Sequence, residues 1–289
     1  MDTTSLEVFR TVAQKGSISK AALSLNFVQS NVTAKIKQLE KELNTQVFYR
    51  HSRGVSLTPS GKTLLEYTNR IMFLFDEARK AVQDSHIPKG PLSIGSMETT
   101  AAVRLSPILV AYHQNYPDVD LSIKTGPTED LIQSVLRYDL DGAFVAGPVH
   151  HPEIVQKAFI EEELVLISDS KLTSKSVIEN INNKTILVFR PGCSYRAKLE
   201  EWLRSTGNFP IKIMEFGTLE AILACVMAGM GISLLPKSVI ENLDHNKFHY
   251  YSIPENFRKT TTVFIHRNDL YKTSAITKFL EMIETTKND

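Results

Sequence analysis

The sequence predicts a chain of mixed α+β and α/β class in two domains. The first is an N-terminal winged helix-turn-helix running into one long helix, and the second is a C-terminal α/β domain of two lobes. Three observations carry this. Apolar spacing up to about residue 84 is helical, apart from one short alternating stretch. From residue 92 onward, strand-like and helix-like runs follow one another in turn. Charge divides at the same place: the first 90 residues hold 13 Lys and Arg against 8 Asp and Glu, and the remainder holds 20 against 24. A basic first third on an otherwise acidic chain points to a polyanionic partner for that third.

The first helix follows from Leu6, Phe9, Val12 and Ala13, with Gly16 as a left-handed stop. A short second helix places Ala21, Ala22 and Leu25 on one face, with Ser19 as its expected N-cap. After a break at residues 26–28, Val32, Ile36, Leu39 and Leu43 form the apolar stripe of a third helix. Its other residues, Gln29, Ser30, Asn31 and Thr33, offer donors and acceptors that match base edges, while Lys35 and Lys37 can reach phosphates. Two small alanines let the second and third helices approach closely, which is helix-turn-helix geometry with the third helix in a major groove.

The run "VFYRHSRGVSLT" alternates and turns at residues 52–54, predicting a two-stranded wing with Arg50, His51 and Arg53 at its tip, suited to phosphates or a minor groove. Next comes Gly61-Lys62-Thr63, which looks like the end of a nucleotide-binding loop. Such a loop needs a second glycine where this chain has Ser56, and Pro59 removes one amide donor, so nucleotide binding is excluded. The segment reads instead as a helix start, capped by Thr58 or Ser60 with Pro59 in the first turn. From there to about residue 84, Leu64, Thr68, Ile71, Phe75, Ala78 and Val82 recur at alternating fours and threes. A heptad-like seam on a helix of roughly 37 Å is a dimerisation device, so a second copy of the chain is an expected partner.

Over its whole length the chain resembles the LysR-type transcriptional regulators. The resemblance is carried by Ala21, Ala22, Leu25, Gln29, Val32, Thr33, Ile36, Leu39, Glu40, Leu43, Phe48, Arg50, Leu57, Thr58 and Gly61 at the family's spacing. The chain departs from the pattern at Val28, where a capping Ser or Thr is usual, at Ser30 for a frequent Pro, and at Asn44 for a common Gly. The resemblance implies a sequence-specific regulator of transcription that binds double-stranded DNA as a homodimer or homotetramer. It also implies a periplasmic-binding-protein-like effector domain taking a small molecule. The expected division is 1–58 for the DNA-binding domain, 59–84 for the linker helix, 85–91 for a hinge and 92–289 for the effector domain, with lobe I at about 92–160 and 267–289 and lobe II at about 161–266.

Two α/β lobes bind small molecules in the cleft between them, at strand C-terminal ends and helix N-termini. Strand ends place Ser96, Met97, Thr99, Thr100, Thr125, Gly126, Ala146 and Gly147 there from one lobe. Arg190, Ser194, Tyr195, Phe216, Gly217 and Thr218 come from the other. Helix dipoles, hydroxyls and a cation from Arg190 or Arg196 favour a small carboxylate as effector, with no cofactor or metal.

The alternatives are narrower. Cys193, at a helix start, raises a thiol-based redox switch, although Cys225 is 32 residues away. A small-molecule-binding protein without a DNA role leaves the basic helix-turn-helix unexplained. Eight scattered histidines and no Cys-x-x-Cys give no basis for an enzyme. The longest uncharged run, Ala221 to Pro236, is 16 residues and is broken by two glycines, so no membrane partner is expected. The polar start at Met1-Asp2 lacks a secretory pattern, and a cytoplasmic location follows as an expectation.

Overall fold

The computed structural model describes residues 1–52, 54–83, 86–169, 184–207, 212–241 and 249–285. They form two compact units, Met1–Gln83 and Asp84–Asp289.

In the first unit, α1 (Thr3–Lys15) begins where the Asp2 carboxylate accepts the Ser5 N–H at 2.7 Å and ends at Gly16, which is left-handed at φ 61°. Helix α2 (Ile18–Ser24) is capped by Ser17 rather than by Ser19. Ser17 has the extended backbone that a cap needs and accepts from the Lys20 N–H, whereas Ser19 lies inside the first turn. Helix α3 (Gln29–Glu42) starts after Val28, which is extended but offers no side-chain cap. Val8, Phe9 and Val12 of α1, Ala21 and Ala22 of α2, and Val32, Ile36 and Leu39 of α3 bury a shared core that Phe48 closes.

The wing is an antiparallel pair of β1 (Phe48–His51) and β2 (Gly54–Leu57). Two polar nodes seat it. The Glu40 carboxylate of α3 accepts the N–H groups of Val47 and Phe48 at 3.0 and 3.4 Å. The Thr58 hydroxyl donates to the Gln46 carbonyl and accepts from the Gly61 N–H, capping α4 (Pro59–Gln83). Gly61 is demanded by packing: a Cβ there would sit 2.0 Å from the Val47 carbonyl oxygen. The glycine that imitates a phosphate loop therefore serves helix-to-strand contact. Along α4, Leu64 packs into the core and Thr68 is buried, so neither belongs to an open seam, because the first turns of the helix lie against this small domain. Ile71, Phe75, Ala78 and Val82 are exposed.

In the second unit, parallel β3 (Gly90–Ser96), β4 (Val119–Thr125) and β5 (Gly142–Gly147) are followed by antiparallel β11 (Lys259–Arg267) and β6 (Ile154–Ser168), in the order β4-β3-β5-β11-β6. Phe144 and Phe264 face α6 (Ser106–Asn115) and α12 (Ser274–Thr285), while Val145, Val263 and Ile265 face α7 (Thr128–Leu136). The alternation is that of strands covered on both sides. The helix expected after β3 is interrupted: α5 (Glu98–Thr100) passes through a π-helical turn (Ala101–Leu105) into α6. Pro107, in the first turn of α6, has no N–H to continue the regular ladder.

Strand β6 continues past this sheet and pairs with β9 (Ser233–Pro236) and β10 (His249–Ser252). Parallel β7 (Ile186–Phe189) and β8 (Ile213–Phe216) extend that second lobe through a bridge from Ile186 to Ile232. Its helices are α8 (Ser194–Ser205), α9 (Leu219–Met227), α10 (Lys237–Glu241) and α11 (Glu255–Arg258). The expected end of lobe II at residue 266 is too late. Thr261 to Ile265 pair with β5, so the chain is back in the first lobe's sheet along β11.

At this junction Glu162, 6% exposed, accepts two bonds from Arg104 of the π-helical turn, at 2.8 and 3.2 Å, and one from Ser238 of α10 at 2.9 Å. Removing the carboxylate leaves a partly buried guanidinium and a buried hydroxyl without it. Glu162→Ala is therefore expected to cost about 3–5 kcal/mol in urea unfolding. Glu162→Gln, which retains an acceptor oxygen, should cost less.

Candidate functional site

The exposed side of α3 is one candidate surface. Gln29, Ser30, Thr33, Ala34 and Lys37 line a shallow open concavity. Ser19 of α2 donates to Gln29 Oε1 at 3.1 Å, and the Thr33 hydroxyl donates to the Gln29 carbonyl at 2.9 Å. These bonds orient the first turn that Val28 leaves uncapped. Asn31 and Lys35, two and six residues after Gln29, lie about 200° and 240° round the helix, so they leave this cluster. Lys35 faces the N-terminus of α1, where it helps hold the Asp2 carboxyl below its usual range, a shift due first to the bond from Ser5.

A second concavity, between α3 and the wing, is lined by Lys37, Glu40, Gln46, Phe48, Tyr49, Arg50 and His51. Arg50 lies 3.8 Å from the Glu40 carboxylate, and His51 Nε2 is 2.7 Å from the Ser56 hydroxyl across the hairpin. Lys37 joins both concavities and makes them one polar, cationic surface. Arg53 lies outside the described residues.

The other candidate is a cleft of about 480 Å³ in the second unit. Of the residues expected there, Met97, Thr99, Thr125, Gly126, Arg190, Tyr195, Phe216 and Gly217 line it. The Thr99 hydroxyl meets the buried Tyr195 phenol at 3.1 Å, joining the lobes at its inner end. Burial pushes that phenol's pKa up and keeps it protonated. Arg190 lies flat over Gly217, where a Cβ would come within 3.2 Å of its guanidinium, and it has no acidic partner among the described residues. Arg196 is committed elsewhere, to Glu200 at 2.8 Å and Glu215 at 2.7 Å.

The remaining expected residues do other work. Ser96 is fully buried and donates to the Met97 carbonyl, and Thr100 is buried facing the Tyr195 phenol. The Ala146 N–H donates to Thr128, Gly147 packs on Val263, and Thr218 caps α9. Ser194 starts α8 with its hydroxyl buried and unbonded among the described residues. Ser194 apart, they are hydroxyls and small residues at element ends whose contacts lie within the protein. Lys124, Asp130, Ser134 and Arg137 line the cleft without having been expected. The signal was present as a polar stripe at 130 and 134 on α7 and at its C-cap, Arg137, hidden behind the apolar pattern of the helix's other face.

Cys193 also lines the cleft, but burial pushes its thiol up, against a smaller downward pull from the backbone N–H groups of Arg196 and Tyr195. Cys193 packs against the cluster that holds Leu164, Leu166 and Val188, and Cys225 against the one that holds Val165, Ile167 and Leu187. Those strand residues alternate, so the two sulfurs lie on opposite faces of one sheet and cannot pair without rebuilding the lobe. Among the described residues, no group of three or more His, Cys, Asp or Glu could hold a metal, and no helix is long and apolar enough to cross a membrane.

Residues 3–62 match the family described as bacterial regulatory helix-turn-helix protein, lysR family, and residues 85–287 match the LysR substrate binding domain. The chain is 51% identical to the HTH-type transcriptional regulator GltR of Bacillus subtilis (strain 168), over 95% of this chain and 93% of that one. It is 52% identical to the HTH-type transcriptional regulator SoxR of Arthrobacter sp. (strain TE1826), over 98% and 97%. A full-length OxyR variant from Pseudomonas aeruginosa shares the fold at a TM-score of 0.73 and 21% identity, covering 98% of this chain and 95% of that one.

The raised Cys193 thiol has a measurable consequence. Its thiolate forms only above the ordinary thiol range, so at neutral pH iodoacetamide should modify it more slowly than free cysteine in a Cys225→Ser background, with the rate climbing as pH rises. Mass spectrometry of quenched samples reads the rate.

Proposed function

The chain belongs to the LysR family of DNA-binding transcriptional regulators, and on that premise we propose how its two sites divide the work. Helix α3 reads bases through Gln29, Ser30 and Thr33, while Lys37, Arg50 and His51 hold phosphates. The observation that supports this is the joined polar surface of α3 and the wing, pre-oriented by the Ser19–Gln29 bond. Two copies associate through the exposed Ile71, Phe75, Ala78 and Val82 of α4, presenting two reading helices to two half-sites. Acting on chromosomal DNA, such a regulator works in the cytoplasm.

A small carboxylate bound in the cleft controls this activity. The Arg190 guanidinium, which meets no acid among the described residues, anchors it, with Thr125 and the Gly126 and Gly217 backbone beside it. Arg196, the other candidate anchor, is occupied by its two glutamates. A ligand touching both lobes shifts the balance between their arrangements by the difference in its affinity for each.

Base reading and backbone holding separate in a binding assay. Gln29→Ala should weaken an operator complex by about 1–3 kcal/mol and leave random DNA nearly unaffected. Equal loss on both DNAs would assign Gln29 to the backbone. For assembly, Ile71→Asp with Phe75→Asp should yield monomers in analytical ultracentrifugation and abolish two-half-site binding, and a variant that stays dimeric would rule out the α4 seam.

A further inference from the structure

Glu98 is a carboxylate in a place that asks for a cation. It begins α5 at the cleft wall, is half-buried, and its carboxylate makes no hydrogen bond or ion pair with any described residue. An acid in the first turn of a helix gains from the backbone dipole, but that gain does not require a position on a cavity wall. Withdrawing an ionised carboxylate from water without a partner costs free energy that a cationic ligand group would recover. Thr99, the next residue, directs its hydroxyl to Tyr195 instead.

The rest of the lining has the same two-signed character. Among the described residues, Arg190 and Arg137 have no acidic partner and Lys124 meets only the Ser134 hydroxyl, at 3.2 Å. Asp130 and Asp139 add negative charge along the α7 side. A ligand bearing carboxylates alone would satisfy the cations and leave Glu98 facing a like charge. A ligand bearing an amine alone would do the reverse.

We infer that the effector is a zwitterion of the amino-acid type, its carboxylate held by Arg190 and its protonated amine by Glu98. This rests on the carboxylate reading of the same cleft and adds the group that reading leaves unmatched. Glu98 is then the residue that separates an amino acid from the corresponding simple acid.

The test uses the full-length chain and matched probes: each protein amino acid, the same compound with hydrogen in place of the α-amine, and the same compound with hydrogen in place of the α-carboxylate. Thermal shift finds the best series and calorimetric titration measures it. The amino acid of that series should bind about tenfold or more tightly than either partner, the worth of one charge-assisted hydrogen bond. Glu98→Gln should bring the amino acid and its des-amino partner to within about twofold, and Arg190→Gln should lose both. If des-amino acids bind as well as amino acids, the role of Glu98 falls while the carboxylate reading stands. If the amines lacking a carboxylate bind best, the carboxylate reading falls. The inference also fails if no amino acid produces a shift, or if Glu98→Gln keeps the wild-type preference. Wild-type pairs decide the matter without the variants, and circular dichroism of each variant confirms its fold.

Discussion

The 15-residue strand β6 is the constraint on which the effector-binding unit is built. Its first part pairs with β11 in one lobe's sheet, and its last residues lie between β9 and β10 in the other's. The lobes therefore share a continuous hydrogen-bonded backbone along β6, which runs from one sheet into the other. Glu162 sits at that crossing with its carboxylate committed to Arg104 on one side and Ser238 on the other. Across the cleft the Thr99–Tyr195 contact makes a second connection. A buried ion pair is weak evidence for stability in general, but one partner lost at such a place leaves an uncompensated charge. Here the pair ties the π-helical turn of one lobe to α10 of the other.

The DNA-binding unit solves a different problem with similar means. Its apolar core is small, and the wing has only four residues per strand, so packing alone fixes the wing weakly. Glu40 and Thr58 supply direction. Each is a short polar side chain reaching backbone groups that no strand or helix ladder would otherwise satisfy. Because these bonds come from α3 and from the start of α4, the wing is positioned relative to α3 by the elements that also carry it. The polar face of α3 is left unencumbered by the core, apart from the local bond to Ser19.

Periodicity made most of the elements legible. The stripes of α1 and α3, the alternating wing and the succession of strands and helices after residue 92 depend on spacing that any folded form of the chain must respect. Family spacing added the assignment of α2, α3 and the wing to helix-turn-helix. Local chemistry was less legible where several residues compete for one role. Ser17 and Ser19 are equivalent as letters, and only the backbone angles at Ser17 suit a cap. Leu64 and Ile71 lie on one seam in sequence, yet the first is in a core and the second faces solvent. Lobe boundaries were blurred because β6 serves two sheets, and a strand's residues do not declare which neighbours they will pair with.

The sequence by itself determined the class of each domain, the family, the polar face of α3 and the region of the cleft. Each is written in residue types recurring at fixed intervals along one chain. Tertiary structure alone decided which charges are spent and which remain. Arg196 and Arg190 are six residues apart and equally charged; Glu200 and Glu215 come together from a helix and a strand to occupy the first, while the second lies over Gly217 and faces the cleft. The same holds for Glu98 and the stripe on α7, whose place on the cavity wall depends on elements distant in sequence. Charge complementarity is a property of groups within a few ångströms in space, and spacing along the chain does not encode it.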